Sequence, residues 1–482
     1  MYAPSGFGLA EVGDVEVFPA GDRIHLFHLT LPNHDVVQHA VSDDGLAWTA
    51  LPNALHTGDP GSCDDDQIWT MSVTERHGRY YMVYTALSRA DGGLVQRTAL
   101  AISNDLVRWT KTPTNPVGEA DSRWYEATTD ASGRVSWRDP KPILVGDTYY
   151  ATVSARVPDG PLHRRGCVGL LASKDLVNWD VRPPLFAPGR YWDLECPQVF
   201  ELGGRFYLTA AIMEDRTQRY WIADQFEGPY TVPAGGNVLV PQGHYAGRVC
   251  SWQGLDLFFC WHRPVMPPGQ FADYDWRGFR NPFGKLVPAP LVLTPRADGT
   301  LQCGSYPGWE QYRKSAAAPV ATDAAGGWSV ETTPGGMQTV MSAASATDFV
   351  LEGTLTLSAA SGGLAFRLDD DEGGYTVTLT PGSRDIVLAK SFGTVRPEDN
   401  RPWFRYQELQ RSVSHEPVAA GVPISFRLLA VGPYIECSLG GEVVIATASD
   451  ERQAGRIGLW AEGGSASLTD ARWSPMRRPP HG

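Results

Sequence analysis

Three carboxylates stand at matched positions in this 482-residue chain: Asp14 lies seven residues before Gly21, Asp139 seven before Gly146, and Glu195 eight before Gly203. Each glycine marks the tip of a segment that reads as a β-hairpin, so each acid opens a first strand at nearly the same height. Brought together, like charges push at least one pKa upward, a cost that chemistry can use. Cleavage of a glycosidic bond needs one carboxyl held protonated as general acid and one ionised as nucleophile or base, around an oxocarbenium-like transition state. A third could orient the sugar. The competing reading is that these are strand-end acids that cap turns or hold a structural cation.

Residues suited to a sugar surround them. Trp69 and Thr70 fall on the first strand of the second hairpin, Arg138 precedes Asp139, Trp192 and Asp193 precede Glu195, and Trp261 is the last residue but one of the fifth hairpin. Aromatic faces pack on sugar C–H surfaces and charged groups grip hydroxyls, although core packing would explain each one singly. His244, which begins HYAGR, could reach the same place or pack in a turn. His25 and His28 form H-x-x-H on an alternating strand, where i and i+3 face opposite ways, so no metal pair is expected. Gly278 to Lys285 is one residue too long for a phosphate loop and no Ser or Thr follows it. No G-x-S-x-G, G-x-G-x-x-G or H-E-x-x-H pattern occurs.

The elements that must position these residues repeat. An alternating segment, a glycine turn and an aromatic-rich segment recur five times: DVEVFPAGDRIHLFHL, WTMSVTERHGRYYMVYTA, DPKPILVGDTYYATVSA, CPQVFELGGRFYLTAA and RVCSWQGLDLFFCWH. Gly21, Gly78, Gly146, Gly203 and Gly254 are their turn glycines, at spacings of 57, 68, 57 and 51. SDDGLAW, SNDLVRW and SKDLVNW follow three of the hairpins, with the variant ADQFEGPY in the fourth. Two more short strands fit around each such turn. Four-stranded units at this spacing predict a five-bladed β-propeller over residues 1–300, with the first strand of each blade nearest the axis. A generic sandwich would have no reason to repeat the turn. After an irregular stretch read as a linker over 301–345, alternation returns at Leu364, Phe366 and Leu368, and at Ile435, Cys437 and Leu439. This predicts a β-sandwich over 346–476 and an all-β protein without long amphipathic helices.

Composition bounds the partners. The chain is 42% hydrophobic, 20% charged and 11% aromatic, which excludes disorder and coiled coils. A net charge of −13 with no basic tract argues against nucleic acid and anionic membranes. Seven scattered cysteines without C-x-x-C suggest neither a disulfide framework nor a zinc site, and no cofactor is expected. The N-terminal residues carry no basic and apolar leader pattern, so a soluble, cytoplasmic protein is expected, with secretion after leader removal left open. The expected partner is an oligosaccharide or glycoside; oligomeric state is not legible.

The order Asp in GDVEVF, then WRDP, then LECPQVF resembles the clan that joins glycoside hydrolase family 32 with families 68 and 43. WRDP and LEC are similar to family 32's Arg-Asp-Pro and Glu-Cys signatures. The resemblance runs through all five hairpins into LVPAPLVLTPRADGTLQ, and the family also carries a C-terminal β-sandwich. It implies that Asp14 is the nucleophile, Asp139 the transition-state stabiliser that grips sugar hydroxyls, and Glu195 the acid/base, supported by Arg138 and Cys196. It further implies hydrolysis of a terminal furanosidic bond, β-fructofuranosidase-like and retaining. An inverting family 43-like arabinofuranosidase or xylosidase, an inactive carbohydrate-binding protein and a protein scaffold are the alternatives. The chain departs from the family where Gly13 and Val15 flank Asp14, where Leu29 replaces a Gln, where Val37 replaces a Trp, and where Trp69 and Thr70 replace a Phe-Ser pair.

Overall fold

The computed structural model describes residues 1–4, 12–31, 33–262, 286–324, 326–392 and 406–480. Five small antiparallel sheets fill the N-terminal part. The first holds β1 (Val12–Ala20), β2 (Arg23–Thr30), β3 (Val36–Ser42) and β4 (Thr49–His56); the second holds β5 (Gln67–Arg76), β6 (Arg79–Leu87), β7 (Arg97–Ser103) and β8 (Trp109–Lys111). The third contains β9 (Trp137–Val145), β10 (Thr148–Arg156), β11 (Gly166–Ser173) and β12 (Asp180–Phe186). The fourth has only β13 (Glu195–Leu202), β14 (Arg205–Ile212) and β15 (Thr217–Ala223), and the fifth has β16 (His244–Trp252), β17 (Leu255–His262), β18 (Leu291–Pro295) and β19 (Leu301–Gly304). Where ADQFEGPY replaces the recurring turn, isolated bridges at Ile222 and Thr231 and at Arg219 and Val238 stand in for a fourth strand.

The first strands close a ring: β1 packs on β5, β5 on β9, β9 on β13, β13 on β16, and β16 returns to β1. This is the five-bladed propeller that the spacing predicts. Second strands lie between neighbouring blades and are covered on both faces, which is why they read as near-continuous apolar runs, as in β6 with Met82, Val83 and Tyr84 buried. Two-residue turns join each first and second strand. Gly21 and Gly146 take positive φ at the first turn position, and the pairs His77-Gly78, Gly203-Gly204 and Gln253-Gly254 take it at both, the primed turns whose twist suits a hairpin.

The recurring Ser-x-Asp turn is a hydrogen-bonded cap. Ser173 Oγ accepts from the Asp175 and Leu176 N–H groups, and Asp175 Oδ1 accepts from those of Val177 and Asn178. Ser42 with Asp44 makes the same four bonds, and Asp105 accepts the matching pair from Val107 and Arg108. The cap holds Leu106 and Leu176 in the left-handed region at φ 64° and 66°, where the first blade has Gly45 at 72°.

The sandwich faces a seven-stranded sheet against a six-stranded one. The first contains β20 (Ala318–Pro319), β21 (Ser329–Glu331), β23 (Phe349–Ser358), β28 (Ile424–Val431), β29 (Tyr434–Leu439), β30 (Glu442–Ala448) and β32 (Ser465–Pro475). The second contains β22 (Met337–Ala346), β24 (Ser361–Leu368), β25 (Gly373–Leu379), β26 (Asp385–Phe392), β27 (Tyr406–Val413) and β31 (Gly455–Glu462). Leu351, Phe366, Val377, Leu428, Ile435 and Leu459 form the core between them. The interval 301–345, read as a linker, instead supplies β19 to the fifth blade and β20, β21 and most of β22 to the sandwich. These strands are short or lie at sheet edges, so they lack the long alternation that marks a central strand. A 3₁₀ turn, Pro307–Tyr312, joins the two parts. The segment Gly278 to Lys285 lies outside the described residues. Among the described residues no helix is long and apolar enough to cross a membrane.

Candidate active site

Every innermost strand is interrupted by a bulge at the same height. The ladder register shifts between Val12 and Val15 in β1 and between Trp69 and Met71 in β5. In β9 it skips Asp139 and Pro140, in β13 Cys196 and Pro197, and in β16 Ala246 and Gly247. Asp139, Cys196 and Ala246 take positive φ of 61°, 48° and 51° at these bulges. A bulge breaks the alternation of a strand and re-aims side chains, and here five bulges turn their residues toward one another at one end of the axis.

Asp14 accepts from Thr70 Oγ1 and Cys196 Sγ at Oδ2, the latter at 3.5 Å, and from Trp261 Nε1 at Oδ1 at 2.9 Å. Burial and the nearby Asp139 and Asp14 hold the Cys196 thiol well above its ordinary pKa, so it stays S–H and can donate. Asp139 accepts the Cys196 backbone N–H at 2.8 Å, and its own N–H donates to Thr85 Oγ1 at 2.9 Å. Oxygens of Asp14 and Asp139 and the Cys196 sulfur lie within 4.8 Å of one another. Burial raises the Asp139 carboxyl to about 6; Arg138 opposes this, while Asp14 and Glu195 add to it. One acid of the cluster thus carries a raised pKa, chiefly through burial, with its like-charged neighbours adding to it.

Glu195 is clamped from two sides. Arg138 Nη2 donates to Oε1 at 2.8 Å, and the Tyr245 hydroxyl donates to Oε2. Burial and the Glu195 charge keep the Tyr245 phenol well above its ordinary pKa, so it remains a donor. Arg138 is in turn held by Asp193 at 2.8 Å and stands 3.6 Å from Asp139. Asp193 is itself 1% exposed and also meets Arg134 and Arg156, at 3.1 and 3.7 Å. Exposure divides the acids: Asp14 and Glu195 are half-buried, whereas Asp139 at 2% forms the floor. The arrangement offers one reachable carboxylate on β1, a second anchored on β13 by Arg138 and Tyr245, and a buried third on β9.

Asp14, Asp139, Glu195, Thr70, Arg138, Cys196 and Trp261 are therefore brought together by direct contacts. Asp193 joins them only through Arg138, as a support. Trp192 is half-buried, with the Arg156 guanidinium 4.1 Å from its ring and its N–H on Glu214. Trp69 stacks on His34 at 5.2 Å and donates to Gln67 at 2.7 Å. His244 is buried against the Pro241 carbonyl at 3.0 Å and the His262 ring, and burial lowers it to about 4. The neighbouring Tyr245 takes the place expected for His244, because consecutive strand residues face opposite ways. A tyrosine in HYAGR carries no signal that separates it from core packing, so only its place on the fifth innermost strand could have suggested it.

Two of the departures around Asp14 belong together. A side chain at Gly13 would come within 2.9 Å of Leu31 Cγ and 3.2 Å of Leu29 Cβ, so Leu29 and Leu31 fill the space that a larger residue before Asp14 would need. Leu29 and Val37 are buried in one apolar cluster between the first two blades.

The family model described as "Glycosyl hydrolases family 32 N-terminal domain" matches residues 18–277, more than half of the chain; it takes in Asp139 and Glu195 and begins just after Asp14. Sucrose-6-phosphate hydrolase of Escherichia coli is 26% identical over 239 residues, which cover 46% of this chain and 46% of that protein. The chain spans less than half the length of the curated relatives it matches. Among solved structures, sucrose-6-phosphate hydrolase from Lactobacillus gasseri superposes with a TM-score of 0.70 at 15% identity, covering 97% of this chain and 91% of that one. Fructan 1-exohydrolase IIa from Cichorium intybus gives 0.69 at 16% identity, covering 98% and 95%. The whole propeller and sandwich thus share the fold of these proteins, and by its N-terminal domain the chain belongs to glycosyl hydrolase family 32.

Proposed function

We propose that this protein hydrolyses a terminal furanosidic bond, that of a β-fructofuranoside, with retention of configuration. The observation that carries this reading is the pairing of a half-buried Asp14 with a half-buried Glu195 that Arg138 and Tyr245 hold from two sides. Relatives named as sucrose-6-phosphate hydrolase and β-fructofuranosidase support the sugar. Asp14 attacks the anomeric carbon while Glu195 gives its proton to the glycosidic oxygen, so the C–O bond breaks and a glycosyl ester forms on Asp14. Water then attacks the same carbon, Glu195 takes its proton, and the Asp14 carboxylate leaves. Asp139 accepts hydrogen bonds from sugar hydroxyls as positive charge develops at the ring. Thr70, Cys196 and Trp261 fix the Asp14 carboxylate for attack through bonds that a charged oxygen accepts.

The test is sugar release from sucrose, inulin, levan oligosaccharides, and aryl arabinofuranosides and xylosides by wild type and Asp14→Asn. Wild type should release fructose, and the variant should lose at least about three orders of magnitude in kcat. Release of arabinose or xylose alone would move the reading to the inverting alternative, and intact substrates throughout would move it to a binding protein.

A further inference from the structure

Glu16 lies two residues after Asp14 on β1 and is fully buried. The bond-breaking scheme does not use it, yet its carboxylate reaches three other blades. Oε1 accepts the Val73 N–H of β5 at 3.1 Å and the Lys141 ammonium of β9 at 2.7 Å. Oε2 faces Arg248 Nε of β16 at 3.5 Å. Arg248, also fully buried, donates through Nη1 to the carbonyls of Cys196 and Pro197 on β13, at 3.1 and 3.4 Å. One carboxylate and one guanidinium thereby tie all five innermost strands together.

The tied residues stand in register with the site. Lys141 is two residues after Asp139, Cys196 and Pro197 directly follow Glu195, Val73 is three after Thr70, and Arg248 three after Tyr245. Two residues along a strand is about 7 Å, so the hub forms the layer directly beneath the reacting groups. Asp14, Asp139 and Glu195 sit on three different blades, and their separations depend on what joins those blades below the bulges. Lys141 and Arg248 are held there against one anion, a buried arrangement that tolerates little displacement.

We propose that Glu16 is a positioning residue for the reaction: it fixes the distances among Asp14, Asp139 and Glu195 by joining their strands beneath the site. This deepens the glycosidase reading and rests on it. Its rival is a purely structural role, in which Glu16 stabilises the fold and leaves the chemistry of folded molecules untouched.

Two variants separate these. Glu16→Gln keeps the shape and an acceptor oxygen but leaves two buried cations without an anion. Glu16→Gln combined with Lys141→Met returns the cluster to its original net charge and cuts the tie between β1 and β9 by removing its donor. The double variant should therefore regain most of the Tm that the single variant loses. Steady-state kinetics on the panel substrate that wild type cleaves best are measured beside Tm. Positioning predicts a kcat about 10- to 100-fold below wild type in both variants, with KM changed by less than about threefold. A kcat within about twofold of wild type in either folded variant, or a kcat that recovers in step with Tm, overturns it. If the single variant does not fold, the kcat of the double variant decides. A wild type that cleaves nothing defeats the glycosidase reading and this inference with it, whereas an active wild type with unimpaired variants defeats the inference alone.

Discussion

Asp139 shows at residue scale how a site can cost stability. Its carboxyl rises to about 6 from an ordinary 3.8, chiefly because it is buried, with Asp14 and Glu195 adding to the shift against Arg138. A folded-state pKa above the unfolded one means that the native protein binds the proton more tightly. The stability that this group contributes is therefore fully present below about pH 4 and is lost as pH rises through 6. Asp139→Asn should remove this penalty, and Asn tolerates the left-handed φ of 61° at this bulge. The variant should be more stable than wild type at pH 7.5 by on the order of 2–3 kcal/mol, converge with it near pH 4, and lose turnover. Denaturant titrations at the two pH values check this; a gap that does not depend on pH would contradict it. Asp139 and Glu195 were legible because acids at matched offsets from turn glycines are improbable by accident. Tyr245 was not, since an aromatic on a propeller strand has the same appearance whether it packs or donates a hydrogen bond.

The elements that carry these residues depend on the repeated turns, and the three copies are not equivalent. The Asp105 carboxylate accepts two backbone N–H groups and the Ser103 hydroxyl and makes no further hydrogen bond among the described residues. Asp44 makes the same cap and also accepts from the Tyr312 hydroxyl and, at 3.1 Å, from Gln311 Nε2, while its carbonyl takes the Tyr306 hydroxyl at 2.9 Å. The first blade thereby docks on the segment that leads to the sandwich. Asp105→Ala should cost about 1 kcal/mol, as for a lost cap, and Asp44→Ala about 2 kcal/mol or more. Urea unfolding of the two variants compares them directly, and equal losses would show that the docking bonds add nothing. The hairpins and blade count were readable because the hairpin pattern recurs five times, and the Ser-x-Asp turn because it recurs three times. The bulges were not, because an extra residue in a strand leaves no compositional mark, and they decide which side chains meet.

At the scale of the whole molecule, propeller and sandwich share a core. Trp48, Phe259 and Trp261 from the first and fifth blades, Trp309 and Tyr312 from the connecting turn, and Leu429 and Tyr434 from the sandwich belong to one buried cluster, with Trp309 stacked on Tyr434 at 5.9 Å. Cutting the chain between the two parts would expose this layer, so calorimetry should show one unfolding transition; two resolved transitions would mean that the parts are energetically separate. The sequence signalled two all-β parts but not their boundary, because the strands between residues 301 and 345 are short or lie at sheet edges and, apart from β19, pair with partners distant in the chain. Trp261 links this shared layer to chemistry, since its indole N–H holds Asp14. The most direct test of Asp14 as nucleophile is mass analysis of the Glu195→Gln variant after reaction with an aryl furanoside that wild type cleaves. An activated leaving group needs no acid, but release of the ester needs the base that the variant lacks, so the Asp14 peptide should carry one dehydrated sugar. Steady aryl release with no sugar on that peptide, and a product of inverted configuration, would contradict the account.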